Sequence, residues 1–327
     1  MARSDLLLNL VKASSLGDPL LFRKTLEALI AEERSKNHNV LANKLAMELQ
    51  RSTTRDGTQR VSSNGSVHDL FFEITPTRSL SDLILANNVR TACAEIVEEH
   101  RRRELLRSYN LEPRHRLLLT GPPGNGKTSL AEALAHATDV PLIVARYDGL
   151  IASYLGETAS RLKRLFEFVR SRACVFFLDE VDTLAKERGD VHETGEIKRV
   201  VSSLLLQIDG LPSYVLVVTA TNHPELLDRA VWRRFQLRLE LSKPTRVQIE
   251  DYFASVQTRL PFSLGVASPT LAANLHGANF SELEDFVADV ARRYVLDSPG
   301  SDARRIVRER LRQWQARPRG DRRQIAE

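Results

Sequence analysis

The chain has 327 residues, 42% hydrophobic and 27% charged, with a formal net charge of +5, enough for roughly two to three domains and a substantial core. Two cysteines, Cys93 and Cys174, exclude a disulfide framework and point to a reducing cytoplasm. No uncharged apolar run nears the roughly 18 residues of a membrane span, and MARSDLLLNLV is too short an apolar run for a signal peptide, so a cytoplasmic protein without membrane contact is expected.

Residues 1–50 carry apolar side chains at helical spacing: Leu6, Leu7, Leu10 and Val11, then Leu21, Phe22, Leu26 and Ile30, then Leu41, Leu45 and Leu49. They predict a small helical module, either a packing appendage or an adaptor for a partner. Residues 51–69 include RSTTRDGTQRVSSNGS, which lacks periodicity and reads as a flexible linker. The run 70–74 (LFFEI) suits a short strand. Ser81-Asp82 suits the cap of a helical stretch through His100.

From 113 onward strand and helix patterns alternate. Strands are predicted at 116–120, 141–146, 173–179, 215–220 and 236–240, apolar on both faces, as buried parallel strands are. The expectation is an α/β unit over 70–244, a parallel sheet between helices. An all-helical unit is expected over 245–297. Residues 298–327 read as a solvated basic helix (302–315) with a frayed end. The stretch 301–327 holds nine arginines and four acids, which equals the whole net charge.

The chemistry concentrates at Gly121-Pro122-Pro123-Gly124-Asn125-Gly126-Lys127-Thr128, followed by Ser129. This is G-x-x-x-x-G-K-[ST] between an apolar strand pattern and a helical one. Its glycines let backbone N–H groups face phosphate oxygens, and the helix adds its positive end. Lys127 can reach the β- and γ-phosphates of ATP, and Thr128 can ligand Mg²⁺. The alternative, a Gly/Pro turn before an ordinary helix, explains less of the match. About 50 residues on, VFFLD ends an apolar strand at Asp179, with Glu180 next. Asp179 suits Mg²⁺, and Glu180 suits orientation of the attacking water. Helix capping is the lesser reading. Asn222, after the strand VLVVTAT, can polarise that water or simply form a turn before Pro224. Arg233 and Arg234 are either solvated or arginine fingers reaching a neighbouring subunit.

The series GPPGNGKT, YLGE, FFLDE, DGL, TATN and LLDRAVWRRF resembles the AAA family of ring-forming ATPases over roughly 70–297. The resemblance implies an α/β nucleotide domain with a small helical lid, ATP hydrolysis in a homo-oligomer, most often a hexamer, and pulling of polypeptide through a central pore. It places Gly121–Thr128 at Walker A, Asp179 and Glu180 at Walker B, Asn222 at sensor 1 and Arg233 with Arg234 at the arginine fingers. It puts Tyr154, followed by Leu155, in the first pore loop, where an aromatic ring grips an extended chain. Residues 186–193 (KERGDVHE), with His192, fall at the second pore loop. Adenine contacts are implied at Asp82, Leu83 and on to Leu85, and at Ile249 and Phe253. Two departures stand out: Asn125 replaces the family's usual Thr, and Asn279-Phe280-Ser281-Glu282 replaces Ser-Gly-Ala-Asp in the lid. The absence of H-E-x-x-H makes any partner protease another chain; small bacterial members of this kind resemble those paired with a subtilisin-like serine protease. The alternative function is a nucleic-acid-linked switch, a loader or a transposition or plasmid regulator, which the Arg-rich end favours.

Overall fold

The fold was read from a computed structural model, which describes Thr25 and residues 67–146, 155–181, 203–297 and 302–316. The chain divides into two units, Met1–Gly65 and Ser66–Glu327. The helices expected over 1–50 and the linker up to 66 lie outside the described residues, Thr25 excepted.

In the second unit the strands are β1 (Phe71–Ile74), β2 (Arg116–Thr120), β3 (Leu142–Ala145), β4 (Cys174–Leu178), β5 (Val215–Thr221) and β6 (Leu237–Glu240). They form one six-stranded sheet in the order β1-β3-β4-β5-β2-β6. Five strands run parallel; four carry the two-sided apolar pattern that predicts it, whereas β6 alternates, burying Leu239 and exposing Arg238 and Glu240. β1 departs from that expectation and pairs antiparallel with β3, Phe71 opposite Ala145. It is buried only at Phe71, so it serves as a half-exposed edge that needs no crossover helix.

Helices cover both faces. α1 (Asn87–Arg101), α2 (Arg103–Ser108), α3 (Lys127–Thr138), α4 (Leu155–Arg170) and the short α5 (Arg229–Trp232) belong to this layer. β4 shows how a parallel strand feeds two cores. Cys174, Phe176 and Leu178 point into one cluster with Leu165 and Phe166 of α4. Val175 and Phe177 point into the other, with Leu130 and Leu134 of α3 and Ile96 of α1. Burial pushes the thiols of Cys93 and Cys174 up to about 12, so both are protonated apolar filling rather than reactive groups.

The helix expected from Ser81-Asp82 begins later. Ser79 caps a short 3-10 turn over Leu80–Asp82. Leu83 is extended, and α1 starts only at Asn87. Three apolar residues, Leu83-Ile84-Leu85, are thereby freed from the helix to line a cavity.

After β6 come α6 (Arg246–Arg259), α7 (Ser268–Asn274), α8 (Phe280–Leu296) and α9 (Ala303–Gln315). They share a third hydrophobic cluster containing Phe253, Leu271, Leu283 and Val290. α9 is not the freely solvated helix its arginines suggest. Ile306, Val307 and Leu311 are buried in that cluster, while Arg304, Arg308 and Arg312 face water. Among the described residues no helix is long and apolar enough to cross a membrane.

Candidate functional site

The strand order brings the chemistry to one edge. β5 lies between β4 and β2, with Leu178 opposite Thr219 and Thr120 opposite Thr221. All three strands end together, so Asp179, Asn222 and Gly121 emerge side by side at the carboxyl edge, where open α/β sheets bind ligands.

The phosphate loop leaves β2 at Gly121. Its φ is +130°, and a Cβ there would collide with the backbone carbonyl of Leu241. Glycine is the only residue that lets the loop pass this close to the end of β6. Gly126 is left-handed and caps α3, so Lys127 and Thr128 open that helix. The Lys127 ammonium is buried, 7% exposed. It donates to the carbonyls of Gly121 at 2.7 Å and Pro122 at 3.1 Å, and to Asn222 Oδ1 at 2.6 Å. The cation thus rests inside its own loop, held to the tip of β5. A bound phosphate offers it stronger, charge-assisted partners in the same place.

Thr128 Oγ1 donates to Asp179 Oδ2 at 3.4 Å. A hydroxyl and a carboxylate oxygen this close suit a hard cation that takes its remaining ligands from phosphates and water. Among the described residues no cluster of three or more His, Cys, Asp or Glu could hold a metal by itself. Glu180 adopts a left-handed backbone, φ +49°, uncommon without a glycine and found where strain serves function. The Asp179 carboxylate accepts from the Glu180 amide at 2.9 Å, and the Val181 amide donates to Ala220 at 3.2 Å. The turn is therefore pinned on both sides while the Glu180 side chain stays exposed.

The two adjacent arginines part company. Arg234 pairs with Asp209, which also accepts from Arg116 at 2.8 Å. Arg233 is exposed and has no side-chain ion pair among the described residues. Its neighbour Trp232 lines a cavity with Gly121, Pro122 and Asn222, so this corner borders the phosphate loop.

A second cavity, about 250 Å³, lies on the other side of the loop. Asp82, Leu83, Ile84 and Leu85 form one wall, Asn125, Gly126 and Ser129 the floor, and Tyr252 and Phe280 the far wall. Thr77 and Arg78 close it, both donating backbone amides to Glu132 of α3 at 3.2 Å, while Arg78 Nη1 reaches Ser129 Oγ at 2.7 Å. Asp82, Leu83 and Leu85, the adenine contacts the resemblance implied, line this cavity. Ile249 and Phe253 do not. Both are fully buried in the helical cluster, and α6 turns Tyr252 and Arg259 to the cavity instead. Arg78, Tyr252 and Phe280 had no local sequence signal as site residues, because each comes from a separate element. Only the departure at Phe280 marked its position. Leu155 opens α4, whereas Tyr154 and 186–193 lie outside the described residues.

The family described as "ATPase family associated with various cellular activities (AAA)" matches residues 117–243. An uncharacterised AAA family ATPase, y4kL, of Sinorhizobium fredii is 36% identical over 309 residues, 91% of either chain. A cell division cycle protein 48 homolog of Archaeoglobus fulgidus is 33% identical over 186 residues, 55% of this chain and 25% of that one. The ATP-dependent zinc metalloprotease FtsH 1 of Symbiobacterium thermophilum is 32% identical over 248 residues, 71% of this chain and 42% of that one. With likeness along nearly the whole of one relative and a phosphate loop, acidic strand end and Asn222 gathered at one sheet edge, the chain belongs to the AAA family and is an ATP-binding, ATP-hydrolysing enzyme.

Proposed function

We propose that the chain is the subunit of an ATP-driven ring, most simply a hexamer, that unfolds or threads polypeptide and passes it to a separate protease. In this reading the loop Gly121–Thr128 cradles the triphosphate, and Lys127 turns from its carbonyls to the β- and γ-oxygens. Mg²⁺, held by Thr128 and Asp179 with the phosphates, would neutralise charge developing on them. Glu180 orients the attacking water and Asn222 holds it from the side. Arg233 completes the γ-phosphate site of the next subunit.

The observation that supports the ring is Arg233, exposed and without a side-chain ion pair among the described residues, next to Trp232 of the cavity at the phosphate loop, while Arg234 is engaged. Polypeptide as cargo is supported by Tyr154 in Tyr-Leu-Gly-Glu and by relatives named for proteolysis, an ATP-dependent zinc metalloprotease and a putative 26S proteasome regulatory subunit homolog. The deciding experiment is the Tyr154→Ala variant. It should assemble and hydrolyse ATP normally yet fail to unfold a tagged reporter, whereas Tyr154→Phe should retain the activity. Normal unfolding by Tyr154→Ala would remove the threading reading.

One observation favours a nucleic-acid-linked switch. Arg304, Arg308 and Arg312 repeat every four residues on the exposed side of α9, a basic stripe about 6 Å per step. Salt-sensitive binding of single-stranded DNA, with ATPase stimulation by DNA and not by unfolded protein, would put that reading first.

A further inference from the structure

The cavity beside the phosphate loop contains a feature that the family resemblance does not supply. The first turn of α8 is fastened to the loop itself. The Ser281 amide donates to the Gly124 carbonyl at 3.0 Å. Asn279 lies so close over Gly124 that an added Cβ would come within 2.8 Å of its side-chain amide. Asn279 is rigid in turn: it caps α8 by accepting from the Glu282 amide at 2.8 Å, and Glu282 accepts from the Asn279 amide at 2.8 Å. The residue between these two anchors is Phe280.

Phe280 is half-buried and lines the cavity. Behind it stands Tyr252, 9% exposed, with ring centroids 6.1 Å apart at 61°. Tyr252 is itself set edge-on against Phe253, centroids 5.4 Å apart. An aromatic ring held by its backbone and backed by another ring is a preorganised flat apolar surface. Two polar features of the same cavity lack partners among the described residues. Asn125 Oδ1 is buried without a hydrogen-bond partner. Among the described residues Ile84 and Leu85 make no backbone–backbone hydrogen bonds. An extended peptide edge and an amide oxygen offer both donor and acceptor sites to a nucleobase rim.

We propose that Phe280 is the base clamp of this ATPase: its ring packs on the face of the purine of a bound nucleotide, held in place by the Asn279 and Ser281 contacts to Gly124. Those contacts tie the clamp to the phosphate cradle. The assignment concerns how the chain holds its nucleotide, and it is independent of what the ring acts on.

The test compares a ligand with a base to one without. ATP and inorganic tripolyphosphate share the phosphates and differ in the nucleoside. Their affinities are measured by displacement of a fluorescent nucleotide from the full chain in EDTA, without turnover. Stacking on an aromatic side chain predicts that Phe280→Ala weakens ATP roughly tenfold or more and leaves tripolyphosphate within about twofold. Phe280→Tyr should bind as wild type. Phe280→Leu keeps apolar bulk without a flat face and should lose most of what Ala loses. It carries the test if Phe280→Ala does not fold by circular dichroism. Equal weakening of both ligands would make Phe280 a prop for α8, and unchanged ATP affinity in Ala and Leu variants would leave the base held by other groups. Either result overturns the clamp. A wild-type chain that binds tripolyphosphate as tightly as ATP would overturn it as well.

Discussion

The two ends of the nucleotide site are built on different principles. The phosphate end is made by one continuous octapeptide whose backbone does the binding, with two strand tips delivered alongside by sheet register. The cavity proposed for the base is lined from separate segments, Thr77–Arg78, Asp82–Leu85, Tyr252 and Phe280, over a floor of Asn125, Gly126 and Ser129. The first arrangement constrains sequence locally, since only glycine fits at Gly121 against Leu241. The second constrains only which residues meet in space. The two share the loop itself: Asn125 and Gly126 floor the second cavity, and the Gly124 carbonyl accepts from the Ser281 amide of the helical unit.

The largest expected break in this contrast lies at the phosphate end. Glu180→Gln keeps the strand tip and its pinned turn but removes the negative charge proposed to orient water. ATP turnover should fall about 10²–10⁴-fold with ATP affinity preserved. Single-turnover hydrolysis with parallel binding measurement checks this, and a parallel loss of affinity would refute the role. Lys127→Ala acts on binding instead. It deletes the only cation inside the loop's described contacts, and charge-assisted hydrogen bonds contribute about 1.5–3 kcal/mol. ATP should bind roughly a hundredfold more weakly, and tripolyphosphate should weaken equally, which is the opposite pattern to the base end.

How much of this was legible follows the same division. The phosphate loop, Asp179-Glu180, Asn222 and five of the six strands were readable because local pattern and chain order determine them. The antiparallel edge β1 was readable as a strand but not in direction, since pairing partners are not written in four residues. The helix expected from Ser81 failed because Leu83-Ile84-Leu85 has helical propensity but stays extended as a cavity wall, a tertiary demand overriding a local preference. α9 was read by its charge, whereas Ile306, Val307 and Leu311 lie at helical spacing and bury into the third core. Ile249 and Phe253 were assigned to the base through the family, and the helix phase buries both and turns Tyr252 to the cavity.

The junction offers a sharper test. Gly124 and Gly126 are both left-handed, at φ +75° and +82°. An alanine at either carries the conformational cost, about 1–2 kcal/mol. Only at Gly124 does the new methyl also strike Asn279; at Gly126 the nearest atom is Ser129 Cβ at 4.0 Å. Gly124→Ala should therefore be the more destabilising by urea denaturation. Pairing it with Asn279→Ala should bring it back toward Gly126→Ala. Equal effects of the two single variants would mean that α8 does not bear on the loop.

The smallest effect separates the adjacent arginines, a contrast of the same kind: two identical neighbours in sequence and two roles in space. Arg234 shares Asp209 with Arg116, and the Arg234 side chain is 29% exposed and that of Asp209 32%. Partial exposure limits such a pair to about 1 kcal/mol. For a unit of this size that corresponds to a few degrees in Tm. Arg234→Ala should lower Tm by that amount in the isolated subunit, even without nucleotide. Arg233 has no such pair among the described residues, so Arg233→Ala should leave Tm unchanged. If the proposed ring forms, the loss of Arg233 should appear as reduced ATP turnover only at concentrations where the wild-type rate per subunit rises. The comparison is made by calorimetry on dilute protein and by ATPase rate against concentration. If Arg233→Ala lowers Tm as much as Arg234→Ala, both arginines are structural within their own subunit. If Arg233→Ala keeps full concentration-dependent turnover, the neighbour's γ-phosphate is served by another group.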